Sequence, residues 1–250
     1  ALFISFMEMT NILLLDVIGA ALACTSLLFV KIPDPENEER SQKVQLLKEA
    51  KEAYTEVRAQ NGLSWLFVLS ILATFFIMPV GVLFPLMTLN HYSGNAYQIS
   101  LVEAAWGIGA LLGGAFLGIK KFKLNEISLI NWMYLLLGFT FLLSGVLPVS
   151  GYPLFVGLTA IGGISGSLYM ASFTTVLQTR INPVVMGRVF SFYMSVSLLP
   201  SMIGLLSTGF LADNIGIGNT FIIGGVLVGM IGVISFFVPS IRKLRDSFIP

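Results

Sequence analysis

Gly107-Ile-Gly109-Ala-Leu-Leu-Gly113-Gly114-Ala-Phe-Leu-Gly118-Ile-Lys120-Lys121-Phe-Lys123 passes from an apolar, small-residue run directly into three lysines. The same join recurs along the chain. All fourteen Lys and Arg residues fall in every second gap between long apolar runs, and the gaps in between hold none. Lys31, Arg40, Lys43, Lys48, Lys51 and Arg58 share one gap. Lys120, Lys121 and Lys123 lie two gaps on, then Arg180 and Arg188, then Arg242, Lys243 and Arg245. A charged residue at the bilayer centre costs roughly 3 kcal/mol, and cationic loops stay on the cytoplasmic side, so the alternation counts crossings and orients them. It predicts an all-α membrane protein with seven transmembrane helices, beginning outside and ending in the cytoplasm.

Composition agrees. The chain is 56% hydrophobic and 11% charged, with a mean hydropathy of +0.88, against roughly 25% charged residues in a soluble domain. Windows long enough to cover a hydrocarbon core of about 30 Å place spans near 11–30, 63–89, 98–119, 127–147, 153–178, 189–212 and 220–238. Pro79 and Pro85 lie within the second, which is expected to tilt or kink. Cys24 is the single cysteine and sits in an apolar run, which leaves no intramolecular disulfide or cysteine metal site. A net charge of +1 gives no general pull toward nucleic acid.

Residues 1–7 are apolar but too short to cross, and the chain opens without Met, so they read as the stump of an earlier helix and the chain as the carboxyl-terminal portion of something longer. Residues 31–62 form the one charged linker, opened by Pro33-Asp34-Pro35-Glu36. Within it Val44, Leu47, Ala50, Tyr54 and Val57 recur at helical spacing, which predicts an amphipathic cytoplasmic helix. It is expected to be a solvated connector that rests on the inner face and binds no partner.

This order of parts resembles the major facilitator superfamily, whose members join two six-helix halves through a cytoplasmic linker. The Gly107–Lys123 stretch looks like the family's Gly-rich helix with its basic turn, although the usual acidic residue is missing. Pro183-Val-Val-Met-Gly187-Arg188-Val-Phe-Ser191 and Gly209-Phe-Leu-Ala-Asp213-Asn-Ile-Gly216 are similar to the start and end of the family's eleventh helix. With Ile32-Pro-Asp-Pro35, they most resemble the macrolide-efflux-like exporters. The resemblance implies that 1–30 is the end of the first half, with its last helix, that 31–62 is the linker, and that 63–250 is the second six-helix bundle.

Acidic residues inside apolar spans mark functional sites by default. Asp16 and Glu103 are the candidates for proton coupling; Asp213 ends its span and is expected to be wet. The resemblance places the Asp16 helix at the outside of the bundle, which favours a static hydrogen bond to a neighbour over coupling. Glu103 completes Ser100-x-x-Glu103, the spacing of a helix capping box, so a cap and a coupling role both stand. Lys120, Lys121, Lys123 and Arg188 are candidates for a cytoplasmic gate or for lipid-phosphate contacts. The resemblance implies that the second and fifth spans line a substrate cavity, which nominates Phe75, Met78, Val82, Tyr169, Met170, Phe173 and Gln178, of types suited to a bulky apolar ligand.

No phosphate-cradling Gly-x-x-x-x-Gly-Lys-Ser/Thr motif occurs, and His91 is the only histidine, so ATP hydrolysis, nucleophilic catalysis and metal chemistry have no residues to carry them. No cofactor is expected. The reading is a secondary transporter of the bacterial inner membrane that exports hydrophobic or amphiphilic molecules in exchange for protons by alternating access. Its partners are the small-molecule substrate, protons, membrane lipid and the other transporter half. A seven-helix signalling receptor and a non-transporting assembly partner are the rival classes.

Overall fold

Where no water can hydrogen-bond the main chain, a spanning segment must satisfy its own N–H and C=O groups, which a helix does internally. The computed structural model describes residues 9–29, 46–119 and 125–246, and its regular elements there are all helical. They are α1 (Met9–Leu28), α2 (Leu46–Ala59), α3 (Leu63–Leu86), α4 (Ala96–Ile119), α5 (Glu126–Val146), α6 (Tyr152–Arg180), α7 (Pro183–Ile215), α8 (Ile217–Phe237) and α9 (Pro239–Asp246). Helices α3 to α8 are long and apolar enough to cross a membrane, and α1 carries a shorter apolar stretch, Val17–Ser26. The chain is a multi-pass membrane protein of about seven helices.

Two compact units divide it, 1–46 and 47–250. In the first, α1 exposes Leu14, Val17, Ile18 and Leu22. The second holds everything from α2 onward, and its core joins all six long helices. The most extensive packing is α5 on α8 and α4 on α6, followed by α5 on α6, α3 on α7 and α3 on α8. Exchanging α3, α4 and α5 for α6, α7 and α8 maps this set onto itself: α4–α6 becomes α7–α3, α5–α6 becomes α8–α3, and α5–α8 is unchanged. Short connections reverse each successive helix, so α3 and α6 point opposite ways and the unit is an inverted pair of three-helix sets.

Lipid tails are as apolar as leucine, so helices in a membrane associate through close packing, and small residues set how close. On α4, a Cβ at Gly109 would run into the Ala160 carbonyl of α6, and one at Gly113 would lie 2.8 Å from the Ile164 carbonyl oxygen. Helix α6 returns Gly163 against the Trp106 carbonyl. Between α5 and α8 a Cβ at Gly138 would sit 2.5 Å from the Gly229 nitrogen, and one at Gly145 would sit 2.5 Å from the Gly218 carbonyl. A buried hydrogen bond from Ser235 Oγ to Asn131 Oδ1, 2.6 Å, fixes the same pair further along. The sequence pairs Gly109 with Gly113 correctly, but Gly118 faces open space and Gly114 meets only Ser167 Oγ at 3.6 Å.

Proline explains the course of α3. Pro79 has no N–H for the Phe75 carbonyl, and Gly204 of α7 approaches that oxygen so closely that a Cβ there would lie 2.7 Å away. After Pro85 the ladder widens into one π-helical turn, Met87–His91, where the Thr88 hydroxyl donates to the Phe84 carbonyl at 3.0 Å. His91 Nε2 lies 2.8 Å from the Leu147 carbonyl oxygen, tying this end of α3 to the α5–α6 connection. Buried Tyr92 follows, its hydroxyl pushed up to about 12 by desolvation.

At the opposite end the linker helix packs against the bundle. Ala53 and Val57 of α2 are buried, Glu52 pairs with Arg188 of α7 at 2.8 Å, and the Tyr54 ring meets Phe192 edge-on at 6.4 Å. The buried face runs through Ala53 and Val57, and Tyr54 is half exposed. Val44 lies outside the described residues, as does the Leu47 side chain. Gly62 turns α2 into α3 at φ +89°, with a Cβ position that would strike the Ser240 carbonyl of α9. Asn125 accepts from the Ile127 and Ser128 N–H groups to cap α5, and its Nδ2 donates to the Arg245 carbonyl at 2.5 Å.

Gly62→Ala is expected to cost about 1–2 kcal/mol from the left-handed backbone alone, with the clash on Ser240 in addition. Gly109→Ala should also destabilise, because its new methyl meets backbone that cannot step aside. Thermal unfolding of both variants in detergent checks this; midpoints equal to that of the unsubstituted protein would contradict it.

Candidate functional site

Two helices that diverge leave a gap between them. Helices α3 and α4 touch little beyond their connection, because Trp106 is drawn away toward α6, where its ring lies 3.0 Å from a Cβ built on Gly162 and its carbonyl abuts Gly163. The result is a cleft of about 400 Å³, within the usual range of small-molecule sites, roughly 300–1,000 Å³. Ile77, Gly81, Val82, Phe84 and Pro85 of α3 form one wall, Val102, Glu103 and Trp106 of α4 the other, and Phe141 and Thr159 close the back. The Thr159 hydroxyl donates to the Phe155 carbonyl at 2.8 Å. Glu103 is the one charged side chain among the lining residues.

Glu103 is not a cap. Helix α4 begins at Ala96, and the reciprocal box is Asn95 with Gln98: the Gln98 N–H donates to Asn95 Oδ1 at 3.1 Å, and the Asn95 N–H to Gln98 Oε1 at 3.0 Å. Ser100 instead donates its hydroxyl to the Ala96 carbonyl at 2.8 Å. The true box has an amide at each end, a weaker sequence signal than Ser-x-x-Glu. Glu103 therefore lies seven residues inside the helix, about 10 Å along its axis, on the cleft side.

Phe84 holds the back wall rigid. Its ring centroid lies 6.0 Å from Trp106, 6.1 Å from Phe141, 5.6 Å from Phe155 and 5.2 Å from Phe221, mostly in the tilted or edge-on arrangements aromatic rings prefer. Sequence spacing did not single out Phe84 or Trp106. An aromatic inside an apolar span has no pattern that separates cleft from core.

Of the residues nominated for a substrate cavity, Val82 lines this cleft, and Met78 is exposed one turn away on α3. Phe75 is half-buried against Phe76 at 5.0 Å. Tyr169 and Phe173 are buried elsewhere, Tyr169 because its hydroxyl is drawn inward and Phe173 because its ring packs against those of Tyr169 and Tyr193. Ser70 of α3 bonds the Tyr169 hydroxyl, and lies 2.5 Å from that of Tyr193 on α7. Phe67, Phe173 and Tyr134 pack around them, Tyr134 with its ring 4.7 Å from that of Tyr169. The cluster ties α3, α5, α6 and α7 together. Met170 and Gln178 are exposed on α6, away from the cleft lining.

Arg188 is committed to Glu52. The Asp16 side chain and Lys120, Lys121 and Lys123 lie outside the described residues. Asp213 is exposed near the end of α7, as expected.

No protein-family profile matches the chain. Curated proteins do. A protein named macrolide efflux protein A from Streptococcus pyogenes is 33% identical over 244 residues, 98% of this chain and 60% of the relative. One of the same name from Enterococcus faecalis is 34% identical over 205 residues, covering 82% and 64%. The multidrug efflux pump Tap of Mycolicibacterium fortuitum is 27% identical over 180 residues, covering 72% and 43%. The chain thus spans about 60% of the length of the first curated relatives it matches.

Gly81 tests the cleft without disturbing the core, since a Cβ there meets nothing within 4 Å. Gly81→Ala should raise stability by up to about 1 kcal/mol through helix propensity. Gly81→Phe should keep the melting temperature and fill the cleft. With Trp65 and Trp132 replaced by Phe, it should also weaken quenching of Trp106 by a lipophilic quencher severalfold. Unchanged quenching would mean that the gap takes no ligand.

Proposed function

The chain belongs to the major facilitator superfamily, in its macrolide-efflux-like branch, and we propose that it supplies one six-helix half of an exporter of hydrophobic or amphiphilic small molecules, macrolide antibiotics among them. One observation carries the reading. The opening between α3 and α4 is apolar, of ligand size, and holds one carboxylate.

Transport by this chain alone is not expected, because alternating access needs a second half to rock against. The glycine contacts join α4 to α6 and α5 to α8, so they lock the two three-helix sets into one bundle that can rock as a body against a second half. The linker helix, docked through Glu52 and Arg188, is suited to carry the motion of one half to the other. Lys120, Lys121 and Lys123 follow α4 in sequence and serve this proposal as cations of the cytoplasmic face, with lipid phosphates as their partners. The cationic end is cytoplasmic and the protein resides in the cell membrane, by the cost of moving cations across a bilayer. Protons are the proposed coupling ion, with Glu103 and Asp16 as the groups that could exchange them. Met78 and Val82, exposed on α3, extend the apolar surface offered to a substrate.

Expressed in a drug-sensitive bacterial host, the full-length protein should lower steady-state accumulation of a hydrophobic fluorescent compound, and collapse of the proton gradient should abolish the difference. Equal accumulation with and without the protein, across a broad panel of such compounds, would refute export.

A further inference from the structure

A second recess, unrelated to the cleft, lies between the linker helix and the start of α7. It measures about 380 Å³ and is lined by Lys48, Lys51, Glu52, Thr55 and Glu56 of α2 and by Val185 of α7. The five α2 positions share one helical face at spacings of three and four. Two of the lining groups are already engaged: Glu52 by Arg188 at 2.8 Å, and the Thr55 hydroxyl, which donates to the Lys51 carbonyl at 2.7 Å. The Lys48 and Lys51 ammonium groups and the Glu56 carboxylate make no hydrogen bond or ion pair with any described residue. Two ammonium groups against one carboxylate leave a single positive charge unanswered. The height of the recess narrows what can answer it. Val185 is the third residue of a helix long and apolar enough to span a membrane, so the recess stands at the edge of the hydrocarbon, in the layer that phospholipid headgroups occupy. Val184 beside it is 83% exposed, an apolar surface next to the charged one.

We infer that this recess binds the headgroup of a monoanionic phospholipid of the phosphatidylglycerol type: Lys48 and Lys51 share the phosphate, the glycerol hydroxyls donate to Glu56, and an acyl chain descends past Val184. Charge selects the lipid. A monoanion neutralises the recess, whereas phosphatidylcholine and phosphatidylethanolamine, neutral overall, leave its extra positive charge in place. The walls belong to two elements, so an occupant bridges α2 and α7 beside the Glu52–Arg188 pair and fastens the linker helix to the bundle. Lys48 and Lys51 are exposed and hold no described partner through their side chains, so their replacement leaves the fold intact. The inference goes beyond export and needs neither a substrate nor a second half.

The test uses the purified full-length protein in an uncharged detergent, with the dioleoyl forms of phosphatidylglycerol, phosphatidylcholine and phosphatidylethanolamine and with inorganic phosphate as probes. Native mass spectrometry gives the affinity of the first bound lipid, and thermal unfolding gives its effect. Phosphatidylglycerol should bind roughly tenfold more tightly than either neutral lipid and raise the unfolding midpoint. Lys48→Gln combined with Lys51→Gln should remove both advantages, and Lys48→Arg combined with Lys51→Arg should keep them. Lys243→Gln, which removes an exposed cation of α9, should leave them unchanged. Three results would each overturn the inference. Equal loss in Lys243→Gln would mean a general attraction of anions to the cationic face. Phosphatidylglycerol affinity within about twofold between the unsubstituted protein and the double glutamine variant would mean that the lysines hold no lipid. Full competition by inorganic phosphate would make the recess a site for a soluble anion. None of these measurements reads transport, so a protein that failed to export would lose the exporter reading and keep this site.

Discussion

The interior of a bilayer offers a cation neither water nor a counter-ion, and this constraint organises the whole chain. It drives the fourteen Lys and Arg residues into alternate gaps and fixes which helix ends lie together. The described connections at the other end, 92–95, 147–151 and 216, contain no Lys or Arg. At the cationic end the caps, the Gly62 corner and the Glu52–Arg188 pair assemble α2 and α9 onto the bundle. A polar layer is built where charges are tolerated, and the middle is left to close helix packing and a few buried hydrogen bonds.

In that middle the helices cannot rely on water to push them together. They rely on the absence of side chains, at Gly109, Gly113 and Gly163 for one pair and at Gly138, Gly145, Gly218 and Gly225 for the other. Both pairs join one three-helix set to the other. Where the packing opens, between α3 and α4, the lining is apolar with one acid, and a substrate site arises from the geometry of divergence.

Much of this was legible in the sequence. Hydropathy and cation placement located six long helices to within a few residues, except that α7 starts six residues early, at Pro183, because Asn182 caps it by accepting from the Val184 N–H at 3.0 Å. A proline at the first helical position is a good start signal, here masked by the charged Arg188 that follows. The α5–α8 glycine contacts were missed because Gly138 and Gly145 are seven apart, and Gly218 and Gly225 likewise, so neither pair shows the four-residue spacing.

Side-chain roles were less legible. Glu103 was recognisable as unusual, but Ser100 supplied a false capping partner, and only the Asn95–Gln98 pair settles where the helix begins. Tyr169 and Phe173 share a stripe with the glycines of α6, and nothing in their spacing reveals that Ser70, almost a hundred residues earlier, draws the Tyr169 hydroxyl into the core. Burial among helices is a long-range property. A single sequence records it only where a charge forbids it.

The orientation of the connectors is the claim on which the rest stands, and labelling of single cysteines in intact cells by a membrane-impermeant maleimide tests it most directly. In a background where Cys24 is replaced by serine, Asn95→Cys and Val149→Cys should label from outside, and Lys121→Cys and Lys243→Cys should label only after the cells are permeabilised. Labelling at 121 and 243 with protection at 95 and 149 would invert the topology and contradict the account.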